Sequence, residues 1–199
     1  SADITAVTLT VSADAQSKTY DGSVFSGFSV SYSGFVNSET SAVISGSVTY
    51  SGSATTGTDA GSYTITPVVS GLSATNYDFS ASNGTLTIST AALTVDISGL
   101  SADDKSYDGG TSATTSGSAA LSGVVSGDSV DLDSSGSYAF AQSDVGSGIA
   151  VSGVTYSLSG TDASNYSISQ PAALSADITA VTLTVSADAQ SKTYDGSVF

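Results

Sequence analysis

Hydrophobic residues alternate with serine and threonine along almost the whole of this chain. Val7, Leu9 and Val11 face one way, and Thr8, Thr10 and Ser12 face the other. Phe28, Val30 and Tyr32 alternate with Ser29 and Ser31, and Val48 and Tyr50 with Ser47 and Thr49. The pattern returns in Tyr63-Ile65-Pro67, Leu86-Ile88, Val130-Leu132, Tyr138-Phe140, Val154-Tyr156-Leu158 and Tyr166-Ile168. A period of two marks strands with one buried and one solvated face. Ser33-Gly34, Ser70-Gly71, Asn83-Gly84, Ser122-Gly123 and Ser126-Gly127 supply the turns between them. No stripe of helical spacing runs much beyond one turn. The pattern predicts an all-β chain of tandem immunoglobulin-like β-sandwich domains, with β-grasp-like domains as the alternative.

A longer period lies over the short one. Lysine precedes Tyr-Asp-Gly by two residues three times: at Lys18, Tyr20, Asp21 and Gly22; at Lys105, Tyr107, Asp108 and Gly109; and at Lys192, Tyr194, Asp195 and Gly196. The tyrosines at 20, 107 and 194 stand 87 residues apart each time, the size of a small domain. Ser1 to Phe25 is also identical, letter for letter, to Ser175 to Phe199, an offset of 174 residues. The chain therefore reads as a window on a longer array that alternates two kinds of domain. The expected division is 1–5 (end of a preceding repeat), 6–90, 91–178, and 179–199 (start of the next repeat, identical to 5–25). Punctuation aligns the two full repeats. Gly34 to Thr40 matches Gly123 to Ser129, Thr58-Asp59-Ala60-Gly61 matches Ser143-Asp144-Val145-Gly146, and Asn76-Tyr77 matches Asn165-Tyr166. Neither seam holds a Pro-rich or Gly/Ser linker, so a stiff, extended rod is expected, growing by roughly 30–40 Å per repeat.

Composition removes whole classes of function. The chain has no Cys, so neither disulfides nor thiolate metal sites are available. It has no His, the usual general base near neutral pH and the commonest metal ligand. No enzyme activity, and no catalytic residue, is expected. The three lysines are its only basic residues, and the net charge is −15. Such a surface repels nucleic acid and anionic membranes, and no stretch reaches the ~20 apolar residues of a membrane span. Regular alternation and a mean hydropathy of +0.18 argue against disorder.

Three groups of residues could carry chemistry. The Lys-x-Tyr-Asp-Gly element reads first as a turn with a tyrosine anchored on the core; a Lys–Asp or Lys–Asn isopeptide crosslink is the sharper alternative. Asp59 with Tyr63, and Asp162 with Tyr166, have the spacing of a tyrosine corner, in which the hydroxyl closes a loop. The alternative there is a glycan contact through tyrosine. Asp128, Asp131 and Asp133, beside Asp103-Asp104, are calcium candidates, because calcium takes several carboxylate oxygens. Their bland role is a solvated face, and no EF-hand loop or nonapeptide calcium repeat is present. No other cofactor is expected.

The second repeat resembles the YDG domain family. It carries Lys105-Ser106-Tyr107-Asp108-Gly109, Leu121 to Asp128, Ser143-Asp144-Val145-Gly146, and Leu158 to Tyr166. The first is similar to the MBG family, through Lys18-Thr19-Tyr20-Asp21-Gly22, Asp59 to Pro67, Asn76-Tyr77 and Asn83 to Ile88. The resemblance implies β-domains repeated in very large secreted or surface-anchored bacterial adhesins, without catalytic residues. A structural stalk is then the leading expectation. A glycan- or protein-binding module and a self-assembling matrix fibre are the alternatives. The expected partners are neighbouring repeats, other copies of the chain, or cell-surface glycans, at an extracellular location.

Overall fold

The computed structural model describes residues 2–198. The chain is built from strands and short turns; among the described residues the helical content is three single-turn 3₁₀ segments, Ser41–Val43, Ser53–Thr55 and Ala163–Asn165. No helix there is long and apolar enough to cross a membrane. The chain divides into two compact units. One comprises Ser1–Gly99, Ala119–Ser135 and Thr155–Pro171, and the other Leu100–Ser118, Gly136–Val154 and Ala172–Phe199.

In the first unit, Val7–Ala13 is the centre of a three-stranded sheet. It runs antiparallel to Val30–Ser33, with Ala13 opposite Val30, and parallel to Tyr77–Ser82, with Leu9 opposite Phe79. Leu9, Val11 and Ala13 turn to the core while the intervening Thr10 and Ser12 are half-buried, as alternation requires. Gly34 lets the chain leave this sheet. Its φ is +106°, and a side chain there would meet the Thr8 carbonyl oxygen at 2.8 Å. A four-stranded sheet follows, in the order Gln16–Thr19, Gly84–Ser89, Gly61–Val68, Thr49–Ser51. Its buried face carries Ile65, Leu86 and Ile88.

The same plan recurs in the second repeat. Ala91–Asp96 lies between Ala120–Ser122, antiparallel, and Tyr166–Ile168, parallel. This small sheet belongs to the first compact unit. Its Leu93 and Tyr166 join Tyr20, Ile65, Leu86 and Ile88 in one apolar cluster. A further four-stranded sheet has the order Lys105–Ser106, Leu174–Thr179, Gly146–Ser159, Asp131–Phe140. Phe140, Ile149, Val151, Ala176 and Ile178 form its core.

The all-β expectation holds, but the sheets are open half-barrels and not clearly closed immunoglobulin-like sandwiches. Parallel pairing is the reason. In each repeat an early strand pairs with a late one in parallel, which takes a long crossover in place of a hairpin. Strands also form where alternation gave no signal: Gln16–Thr19, which carries Lys18, and Tyr77–Ser82.

Candidate functional site

The Lys-x-Tyr-Asp-Gly segments all fold into the same turn. The aspartate carboxylate accepts the N–H two residues on: Ser23 to Asp21 at 2.9 Å, Gly110 to Asp108 at 2.9 Å, and Ser197 to Asp195 at 3.0 Å. The glycine between them has φ of +72°, +76° and +81°, which disfavours any residue with a Cβ. The lysine clamps the turn. Lys105 meets Asp108 at 2.7 Å and Lys192 meets Asp195 at 2.8 Å, and Lys18 pairs with Asp21. Lys18 and Lys105 also donate to the carbonyls of Ser23 and Gly110, at 2.7 and 2.8 Å. Each ammonium is thus held inside its own turn as an ion pair. We expect an intact mass equal to that of the plain sequence; a deficit of one water or ammonia would point to a crosslink.

These pairs shift the carboxylates. Lys18 and then Ser23 hold Asp21 well below the usual carboxylate range, Lys105 and then the Gly110 N–H lower Asp108, and Lys192 holds Asp195 at about 2. A depressed folded-state value favours the folded chain above the unfolded value, near ~4 for aspartate, and the benefit fades as pH falls through the folded value. The melting temperature should therefore drop as pH is lowered from about 4 toward 2. Asp21→Asn with Asp108→Asn should flatten that slope. An unchanged slope would show that other groups govern acid stability.

The tyrosines make a second device. Tyr77 donates its hydroxyl to Glu39 and accepts the Val36 N–H at 3.1 Å. Tyr166 donates to Asp128 at 2.5 Å and accepts the Val125 N–H at 2.9 Å. In both repeats the carboxylate stands 38 residues before its tyrosine. At Asp128 a third group arrives. Tyr20, from the first repeat, donates to the same carboxylate oxygen at 2.8 Å, and its ring meets Tyr166 edge-on, with centroids 5.3 Å apart. Burial, and then Asp128, pushes both the Tyr20 and the Tyr166 hydroxyls above the ordinary tyrosine range. A raised value acts in the opposite sense to the aspartates: its stabilisation is full below the unfolded value, near ~10, and is lost as pH rises past it.

Beside this trio lies a polar clasp. Asn165, only 2% exposed, donates to Asp59 at 3.4 Å and accepts the Ala60 N–H at 2.8 Å. The Tyr63 hydroxyl donates to the Asp59 carbonyl at 2.8 Å, and Asp162 accepts the Ser129 N–H at 2.8 Å. All of these residues lie in the first compact unit. The structure therefore brings Tyr20, Asp59 and Tyr63 of the first repeat to Asp128, Asn165 and Tyr166 of the second. It leaves Tyr107 half exposed.

It does not bring Asp128 together with Asp131 and Asp133. Among the described residues no group of three or more acidic side chains could hold a metal ion. Asp128 instead accepts two tyrosyl hydroxyls on one carboxylate oxygen, Oδ2. The melting temperature should be the same in EDTA and in millimolar calcium; a rise with calcium would reinstate the metal reading. Glu39 and Asn165 were not singled out from the sequence. The retained interval between carboxylate and tyrosine, across segments whose letters otherwise diverge, is the signal that could have found Glu39.

Two alternating β-rich repeats locked through a tyrosine–carboxylate contact make a tandem-repeat module. Residues 9–87 match the family model of the MBG domain (YGX type), and residues 89–173 match that of the YDG domain. The chain contains one domain of each family. Both are non-catalytic repeat modules of adhesins. No curated protein and no solved structure matches the chain.

Proposed function

We propose that this chain is a stalk segment of a giant secreted or cell-surface bacterial adhesin or filament, where it projects or connects cells and surfaces. The observation that carries the reading is the burial of Tyr20 against the second repeat. Two repeats that share an apolar cluster and a tyrosine–carboxylate contact resist bending at their seam, as a Gly/Ser linker cannot. Stiffness and length are what a stalk supplies. The repeats are counted from 6–90 and 91–178, and the parallel pairing of early and late strands favours the β-grasp-like arrangement for each. The site tyrosines also speak against a glycan-binding module: Tyr20, Tyr63, Tyr77 and Tyr166 all spend their hydroxyls inside the fold. The net charge of −15 keeps such a surface soluble outside the cell.

Small-angle X-ray scattering at dilution tests the reading. An elongated particle that gains roughly 30–40 Å per repeat is expected. A profile that fits a compact sphere, or selective binding on a glycan array, would sink it.

A further inference from the structure

Oxidation has few targets in this chain. It has no Cys, Met, Trp or His, so its ten tyrosines are the side chains a one-electron oxidant attacks first. Tyr20 and Tyr166, 146 residues apart in sequence, are placed to couple. Their rings meet edge-on, with centroids 5.3 Å apart and planes at 78°. Both hydroxyls donate to one oxygen of Asp128, at 2.8 and 2.5 Å, which sets the two phenol oxygens side by side. Two phenols joined through their ortho carbons have the same disposition, with adjacent hydroxyls on rings twisted out of one plane. The pair is also held in place. The Tyr20 N–H donates to the Ser89 carbonyl at 2.8 Å, and the Tyr166 hydroxyl accepts the Val125 N–H at 2.9 Å. Both residues are 6% exposed. A fixed contact of this kind favours coupling within the pair over reaction with another chain. Asp128 is only half-buried, so a proton it takes from a phenol has a way out to water.

We propose that Tyr20 and Tyr166 are an oxidative crosslinking site, where a dityrosine bond ties the first repeat to the second. The oxidant is a one-electron acceptor used twice, such as a haem peroxidase with hydrogen peroxide. Each tyrosine gives one electron to the oxidant and its phenolic proton to Asp128, which passes that proton to water before the next arrives. The two radicals join Cε to Cε, and the ring hydrogens displaced there move to the phenol oxygens. The balance is two tyrosines and one hydrogen peroxide to one dityrosine and two waters. Electrons cross a thin cover of protein, so the buried rings need no direct contact with the oxidant. The bond makes a hydrogen-bonded seam covalent. It needs only that seam, and it stands independently of the stalk reading.

Photo-oxidation of the dilute full chain with tris(bipyridine)ruthenium(II) and persulfate tests this. The intact mass should fall by two hydrogen atoms, with the blue fluorescence of dityrosine and no dimer. Trypsin, cutting after Lys18, Lys105 and Lys192, leaves Tyr20 in peptide 19–105 and Tyr166 in peptide 106–192. These two peptides should be recovered joined through the two tyrosines. The product should also melt higher, because a tie across 146 residues constrains the unfolded chain. Tyr20→Phe and Tyr166→Phe keep the rings and should each abolish the bond, whereas Tyr107→Phe should leave it. Asp128→Asn keeps an acceptor without the base and should slow coupling about tenfold or more. Unfolding in urea before illumination should remove the preference for this pair. An unchanged mass, bonds confined to other tyrosines, a bond that survives Tyr166→Phe, or an unaltered rate in Asp128→Asn overturns the proposal.

Discussion

Tyr20→Ala should destabilise the chain by about 3–5 kcal/mol, the cost of emptying a buried aromatic site. The same substitution at Tyr107 should cost less than about 1 kcal/mol, because that ring is half exposed already. The two tyrosines sit in the same five-letter motif and in the same clamped turn, so local chemistry cannot separate them. What differs is the neighbour. Tyr20 packs among Ile65, Leu86, Ile88 and Leu93, and its hydroxyl shares Asp128 with Tyr166. Tyr20→Phe isolates the polar part. It keeps the ring and removes one donor from a carboxylate that retains another, for an expected loss of about 1–2 kcal/mol. Urea unfolding of the three variants provides the measurement. The alanine variant should also broaden the transition, since the seam couples the two repeats into one cooperative step. Equal losses at Tyr20 and Tyr107 would mean that the seam contributes nothing to stability.

The strands were legible because alternation is a local property. Leu86-Ile88 and Tyr63-Ile65-Pro67 announce their buried faces within five residues, and Gly34 and Gly123 mark turns that require positive φ. Pairing was not legible. Nothing in Val7–Ala13 says that its neighbours are Val30–Ser33 on one side and Tyr77–Ser82, in parallel, on the other. That choice depends on a crossover of more than sixty residues and on which edges the rest of the fold leaves open. The site shows the same division. The Asp-Gly turn and its lysine clamp follow from neighbours in sequence, and they form even around Asp195, where no sheet surrounds them. The Tyr20–Asp128 bond spans 108 residues and exists only because two repeats meet. Asp128 therefore read as one of three acidic residues near a strand, a calcium candidate, when its geometry makes it an acceptor for tyrosine.

The duplicated ends turn this distinction into an experiment within one chain. Residues 175–179 are strand where residues 2–5 are not, and residues 7–13 are strand where 181–187 are not. Leu9 is 0% exposed and Leu183, the same letter in the same context of 25 residues, is 87% exposed. Leu9→Ala removes a fully buried side chain from a central strand and should cost about 2–5 kcal/mol, the spread reflecting how far Val11 and the Tyr77–Ser82 strand can close on the gap. Leu183→Ala should change stability by no more than about 0.5 kcal/mol. Chemical denaturation measures both, and hydrogen exchange adds a local reading. The amides of residues 10–12 should be protected by pairing on both sides, and those of residues 184–186, which lie in no strand, should exchange freely.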